Sequence, residues 1–499
     1  MAAALAAFVC ELPLASPLGG GVMVAWHQGQ DPVAVDFFTR TPGLGLESRP
    51  ELDFDHVNVD FGSTIQVFHV GRASAAIPLA LPGVVGVHRD WGRLPLPVVA
   101  EPAVELARRG YVLGEQVAYV FWLLVPIVTR SAECQALYFQ GDRVATAGSR
   151  LDNPALGDTL EAVAKDPRCI RELYQQLVRE FSPAAGGLMT PADVERLDIA
   201  RPSPLRVDHS GLMLATMPPP SSGGVLVALG LKLLEGIGAR GPFLGTGHLL
   251  GLAQVQDALL SVRDSEFDRR CREDDFVRGL LAPERVARLR ARLGAHPVTN
   301  PGNALGSTTH ISTLDEEGNA VAVTLSNGEG CGYVLRGTGM VVNNMLGEQD
   351  LHPRGFHRDP PGTLLSTMMA PTIARGPSNL WALGSGGSNR LRTAILSVTS
   401  HLIDHGASAA EAVRAPRIHL EPIVDRASPA GGCQRSLAYE VTGLESSARQ
   451  ALLAAYPDSP VAFERPNIYF GGVHVAEYAD GHFSGAGDPR RGGAVSVVE

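Results

Sequence analysis

The segment 308–327, TTHISTLDEEGNAVAVTLSN, constrains this chain more than any other stretch. Two alternating runs flank the turn DEEGN at 315–319, which supplies Asp, Gly and Asn for a tight reversal, so the segment reads as a β-hairpin. Alternate residues of a strand share a face, so Thr308, His310 and Ser312 point one way. A core strand would open on valines; this one opens on hydroxyls. The reversal returns Thr324, Ser326 and Asn327 to the neighbourhood of Thr308. Immediately upstream, HPVTNPGNALGS (296–307) is a loop bearing proline and glycine that runs straight into Thr308.

The rest of the chain sets the frame for that hairpin. With 499 residues, 45% hydrophobic and 19% charged, it can bury a large layered core. A net charge of −10 argues against nucleic acid or an anionic membrane surface as partner. No run approaches the ~18 consecutive apolar residues of a membrane-crossing helix. Cys10, Cys134, Cys169, Cys271, Cys331 and Cys433 are scattered without CxxC or metal-type spacing and read as mostly buried thiols. The opening MAAALAAFVCELP reads as a core helix ending near Pro13, without the positive n-region of a leader peptide. A cytoplasmic location is the expectation, and a periplasmic or extracellular one if the natural N-terminus is longer.

Strands are expected at 18–26 and 31–38, helices over 94–110, 157–182, 223–237 and 391–405, and two last strands after 467. The charged stretch 262–295 reads as a solvated helical excursion. Strands and helices without regular βαβ spacing favour a layered α+β sandwich.

A strand threonine is ordinarily a half-buried β-former, and three features set Thr308 apart. The loop before it allows the chain to be cut there, which would free its α-amine. A threonine hydroxyl needs a base beside it, and an α-amine with a pKa of about 8 suits that role. The hydroxyls and amide of Thr324, Ser326 and Asn327 are the second feature. The third is GSGGS (384–388), whose consecutive glycines before a helix can form a backbone N–H nest for an oxyanion. Taken alone the nest is weak evidence, and it matches neither GxxxxGK[ST] nor GxGxxG.

Together these residues resemble the gamma-glutamyltransferase family of N-terminal-nucleophile hydrolases. The resemblance rests on TTHISTLDEEGNAVAVT and is supported in order by GRLP (92–95), MPPPSSGG (217–224), LLSTMMAPTI (364–373), GSGGS (384–388), APRIH (415–419) and GAGDPRRGG (485–493). It implies a four-layer αββα sandwich and self-cleavage between Ser307 and Thr308, dividing the chain into a large subunit (1–307) and a small one (308–499) that stay associated in one intertwined domain. It also implies Thr308 as nucleophile, Ser326 as support for its amine, and Gly386 and Gly387 as oxyanion donors. The acyl group of a small γ-glutamyl or related amide would pass to water or an amine, with no metal or organic cofactor.

Three departures concern the substrate pocket. The family arginine that grips the α-carboxylate aligns with Phe38, and Arg40 lies two residues on, on the same face if the run is extended. Ser366 and Thr367 keep the hydroxyl pair of that carboxylate site. Met345 replaces a polar residue at the α-amino site, whereas Asn327 and Glu348 keep theirs. The short link MLGEQDLHPRGFHRDPPG (345–362) replaces a lid loop, so a more open pocket is expected. Atypical γ-glutamyl compounds, or another acyl group as in the cephalosporin-acylase branch, are therefore the expected donors. An unprocessed relative with a binding role is the alternative. A Ser/His/Asp hydrolase using Ser222 or His310 lacks the GxSxG elbow.

Overall fold

The computed structural model describes residues 1–48, 50–60, 65–294, 308–423 and 434–498. Its centre is a pair of facing antiparallel sheets. Strands β1 (Gly20–Trp26), β2 (Val33–Phe37), β3 (Leu205–His209), β4 (Leu212–Thr216) and β5 (Thr309–Leu314) come first in the chain. They are followed by β6 (Ala320–Ser326), β7 (Thr372–Arg375), β8 (Leu380–Gly386), β9 (Gly472–Ala479) and β10 (His482–Ala486). One sheet has the order β5-β6-β1-β2 and the other β10-β9-β8-β7-β4-β3. Strands β5 and β6 pack across the interior on β8, over a core that includes Val22, Val24, Ala322, Ile373 and Ala382.

Helices cover both outer faces. Helices α1 (Ala2–Cys10), α2 (Ala80–Trp91), α3 (Leu96–Arg109) and α4 (Pro154–Lys165) form one layer with the β5-β6-β1-β2 sheet. Helices α5 (Ser222–Leu234), α6 (Thr246–Val262) and α7 (Arg390–His405) form the other. The result is the expected αββα sandwich. Helix α5 is buried almost all round, and its N-cap Ser221 accepts the Gly224 N–H at 3.0 Å.

The hairpin forms in the expected register, with His310 opposite Thr324 and Thr309 opposite Leu325. Strand β6 also pairs with β1, so that Ser326 lies opposite Gly20. Two expectations need correction. The helix over 157–182 is broken at Pro167 into Pro154–Lys165 and Ile170–Glu180, because the ring of Pro167 cannot continue a helix. The charged excursion is three short helices, Ser265–Arg270, Asp274–Leu280 and Pro283–Arg290, and it is not simply solvated. Phe267, Val277 and Leu280 are buried against α5 and α6, and Arg272 turns inward to the Leu364 carbonyl. Of the cysteines, Cys134, Cys271 and Cys331 are buried thiols and Cys10 and Cys169 are half-buried; Cys433 lies outside the described residues.

Candidate active site

Thr308 heads β5, 5% exposed, with its Oγ1 3.5 Å from Ser326 Oγ, which also accepts the Gly328 N–H at 3.2 Å. Its carbonyl oxygen accepts from Arg491 Nη1 at 3.4 Å. The glycines meet it from the other sheet. A Cβ on Gly386 would lie 2.2 Å from Thr308 O, and one on Gly387, whose φ is +123°, would lie 2.7 Å from Gly471 Cα. Neither position tolerates a side chain. The turn feeds the N-terminus of α7, whose dipole favours negative charge at that point. Ser307 lies outside the described residues.

His310 is buried between Thr324 Oγ1 (2.8 Å from Nδ1) and Ser312 Oγ (2.9 Å from Nε2). Burial, then the charge of His474, pushes its pKa well below the usual imidazole range. With both ring nitrogens taken up by hydroxyls of the hairpin, it braces β5 against β6.

A pocket opens beside Thr308 and Ser326, walled by Phe38, Met345, Thr367 and Glu348. Burial, with the charges of Glu329 and Asp350 behind it, raises the Glu348 carboxyl well above the usual range. The group would release that strain by pairing with a cation. Thr367 Oγ1 accepts the Met369 N–H at 3.1 Å. Ser366 donates to the Pro220 carbonyl at 2.7 Å and faces a neighbouring cleft that Arg272 also lines.

Two candidates lie elsewhere. Arg40 donates from Nη2 to the Asp198 carbonyl at 2.7 Å and does not line the pocket, because its backbone bridges Ile77 and Leu364 and turns the side chain away. Asn327 is fully buried outside the pocket lining, and its amide oxygen and nitrogen have no hydrogen-bond partner among the described residues. Two other residues went unrecognised in the sequence. Arg491 sits on the Thr308 carbonyl, and Asp350 accepts from Ser388 Oγ at 2.6 Å beside the glycine turn. The only sequence signal for Arg491 was its place in GAGDPRRGG.

A long groove follows the free edge of β5, with Ala3, Ala7 and Cys10 of α1 on its walls together with Arg491 and Val495–Val498. Glu11 lies in it, its carboxyl pushed up to about 7 by burial against the opposing pull of Arg491. Among the described residues no group of three His, Cys, Asp or Glu side chains is placed to hold a metal ion. No helix among them is long and apolar enough to cross a membrane.

Facing sheets between helical layers, with a hydroxyl at the head of an inner strand and a glycine turn opposite, define the N-terminal-nucleophile hydrolase class. Comparison with known proteins narrows the class. The gamma-glutamyltranspeptidase family matches residues 1–498, and the chain belongs to that family. It is 30% identical to the Acylase ACY 1 proenzyme of Pseudomonas sp. strain V22 over 442 residues, 84% of this chain and 77% of the relative. It is 25% identical to the glutathione hydrolase proenzyme of Escherichia coli K12 over 437 residues, 82% of this chain and 74% of the relative. In fold it is similar to cephalosporin acylase from Bacillus halodurans, with a TM-score of 0.76 at 20% identity over 100% of this chain and 90% of that one. The protein is an enzyme, an amidohydrolase of gamma-glutamyltransferase or acylase type.

Proposed function

We propose that the protein is a self-processing threonine amidohydrolase and acyltransferase, with Thr308 as its nucleophile. The observation that carries this reading is the Thr308 hydroxyl held 3.5 Å from Ser326 Oγ, with the Gly386–Gly387 turn against the same residue. In maturation Thr308 Oγ attacks the carbonyl carbon of Ser307, the peptide C–N bond breaks, and the acyl group moves to oxygen. Water then hydrolyses the ester, leaving a carboxylate on Ser307 and a free α-amine on Thr308. In turnover the same oxygen attacks the substrate amide while the α-amine takes its proton and passes it to the leaving amine. Backbone N–H groups of the glycine turn stabilise the oxyanion. Water or a second amine then accepts the acyl group.

The pocket wall bears on the acyl group. Phe38 stands where a carboxylate clamp is expected, Met345 is apolar, and Arg40 is occupied elsewhere. An α-carboxylate would lose its charge-assisted pair, so a γ-glutamyl amide is a poor fit. These observations favour an acyl group without an α-carboxylate, the acylase reading, while Glu348 supports an amino group on it. Masses of purified wild type and Thr308→Ala test the mechanism. Two fragments, the second beginning at Thr308, are expected in the wild type and one chain in the variant. An intact wild-type chain would overturn the reading. Paired amides with and without the α-carboxylate test the acyl group; kcat/KM is expected to be at least about 10-fold higher without it, on the order of one lost charged pair.

A further inference from the structure

Asp350 forms a wall shared by the Thr308 pocket and a second, larger cavity of about 320 Å³, within the size range of small-molecule sites. Arg392, on the first turn of α7, is 3% exposed and lines that cavity, and its Nε and Nη1 have no hydrogen-bond acceptor among the described residues. Arg390, two residues earlier, is placed differently: its guanidinium pairs with Glu421 at 3.1 Å.

A second arginine reaches the cavity from the end of α6. Arg263 donates from Nη1 to Asn389 Oδ1 at 2.6 Å and from Nη2 to the Asp350 carbonyl at 3.2 Å. Among the described residues its Nε has no acceptor within hydrogen-bond distance, and it forms a long ion pair with Asp268 at 3.8 Å. Burial, and then the positive charge of Arg263, pulls the Arg392 guanidinium down to about 9. A buried guanidinium beside a half-buried one, the two repelling and each keeping an N–H without an acceptor among the described residues, is costly unless an anion joins them.

We propose that this cavity binds a small molecule through a carboxylate held by Arg392 and Arg263. Asp350 and Glu421 nearby disfavour a multiply charged group such as phosphate, and Leu260 and Phe356 offer walls for a hydrocarbon stem. The carboxylate belongs either to the far end of the substrate or to a separate effector. Both would act through Asp350, which holds Ser388 next to Gly387 at 2.6 Å. As a subsite of the reaction, the cavity rests on the proposed function; as a binding site it does not.

Titration calorimetry on Thr308→Ala, which cannot turn over, tests the site alone, with glutarate as probe and glutaramide and inorganic phosphate as controls. Glutarate is expected to bind at least 10-fold more tightly than either control, and Arg392→Met to lose that preference while melting as a folded protein. Arg263→Gln serves as the second variant if Arg392→Met does not fold. In processed wild type, competition by glutarate against a neutral acyl donor assigns the cavity to the substrate. A change in kcat without competition assigns it to an effector. Absent glutarate binding, binding unchanged in both variants, or tighter binding of phosphate would each overturn the proposal. Because the titration needs no chemistry at Thr308, its failure and that of the proposed mechanism are read separately.

Discussion

At Gly387 the backbone has φ +123° and a methyl group would meet Gly471 Cα at 2.7 Å. Gly387→Ala must therefore shift the turn that faces Thr308, and a kcat loss of ~100-fold or more is expected from a displaced oxyanion donor; steady-state assays of processed protein check it. Asp36 poses a different residue-scale question. It is fully buried, accepts the Phe38 N–H at 3.0 Å on one oxygen and has no partner among the described residues on the other. Burial raises its pKa from 3.8 to about 6, so the folded state prefers the neutral acid. The contribution to stability is intact below about pH 4 and lost as pH rises through about 6. Asp36→Asn should stabilise the protein by ~1–3 kcal/mol at about pH 8 and change little at about pH 4, as urea melts at both values would show. Thr308 and Ser326 were legible as neighbours because hairpin pairing follows from local alternation. The direction of Arg40 was not, since it depends on Ile77, Leu364 and Asp198, far along the chain.

Among elements, those with an unbroken period and a clear stop were read correctly. The hairpin 308–327 and helix α3, ended by Gly110 at φ +77°, are examples. The helix expected over 157–182 failed at Pro167, whose breaking effect was overlooked. In the charged excursion, charge density concealed a buried face, because Phe267, Val277 and Leu280 are spread over separate short helices. Connections between remote elements were not legible at all. Arg417 pairs with Asp488 at 2.9 Å, and Arg490 donates to Glu440 at 2.8 Å, all four at 2% exposure or less. Glu440→Gln leaves the buried Arg417 and Arg490 sharing the single carboxylate of Asp488, and a loss of ~3–5 kcal/mol in urea unfolding is expected.

For the molecule as a whole, the decisive fact is that strands from both sides of position 308 share one sheet, joined where β6 pairs with β1 along its full length. Cleavage before Thr308 severs none of these pairings. The two fragments should co-elute in native gel filtration and separate only in denaturant; separate native peaks would contradict the intertwined arrangement. The groove along β5 adds a consequence of its own. Its walls include both Ala3 of α1 and Val498, so these two residues border the strand that carries Thr308. The gene can then be circularly permuted: residues 308–498, a flexible linker, and residues 1–294 or beyond. Once the initiator methionine is removed, such a chain carries its threonine amine from birth. Maturation and turnover, which share one hydroxyl under the proposed mechanism, would become separate experiments.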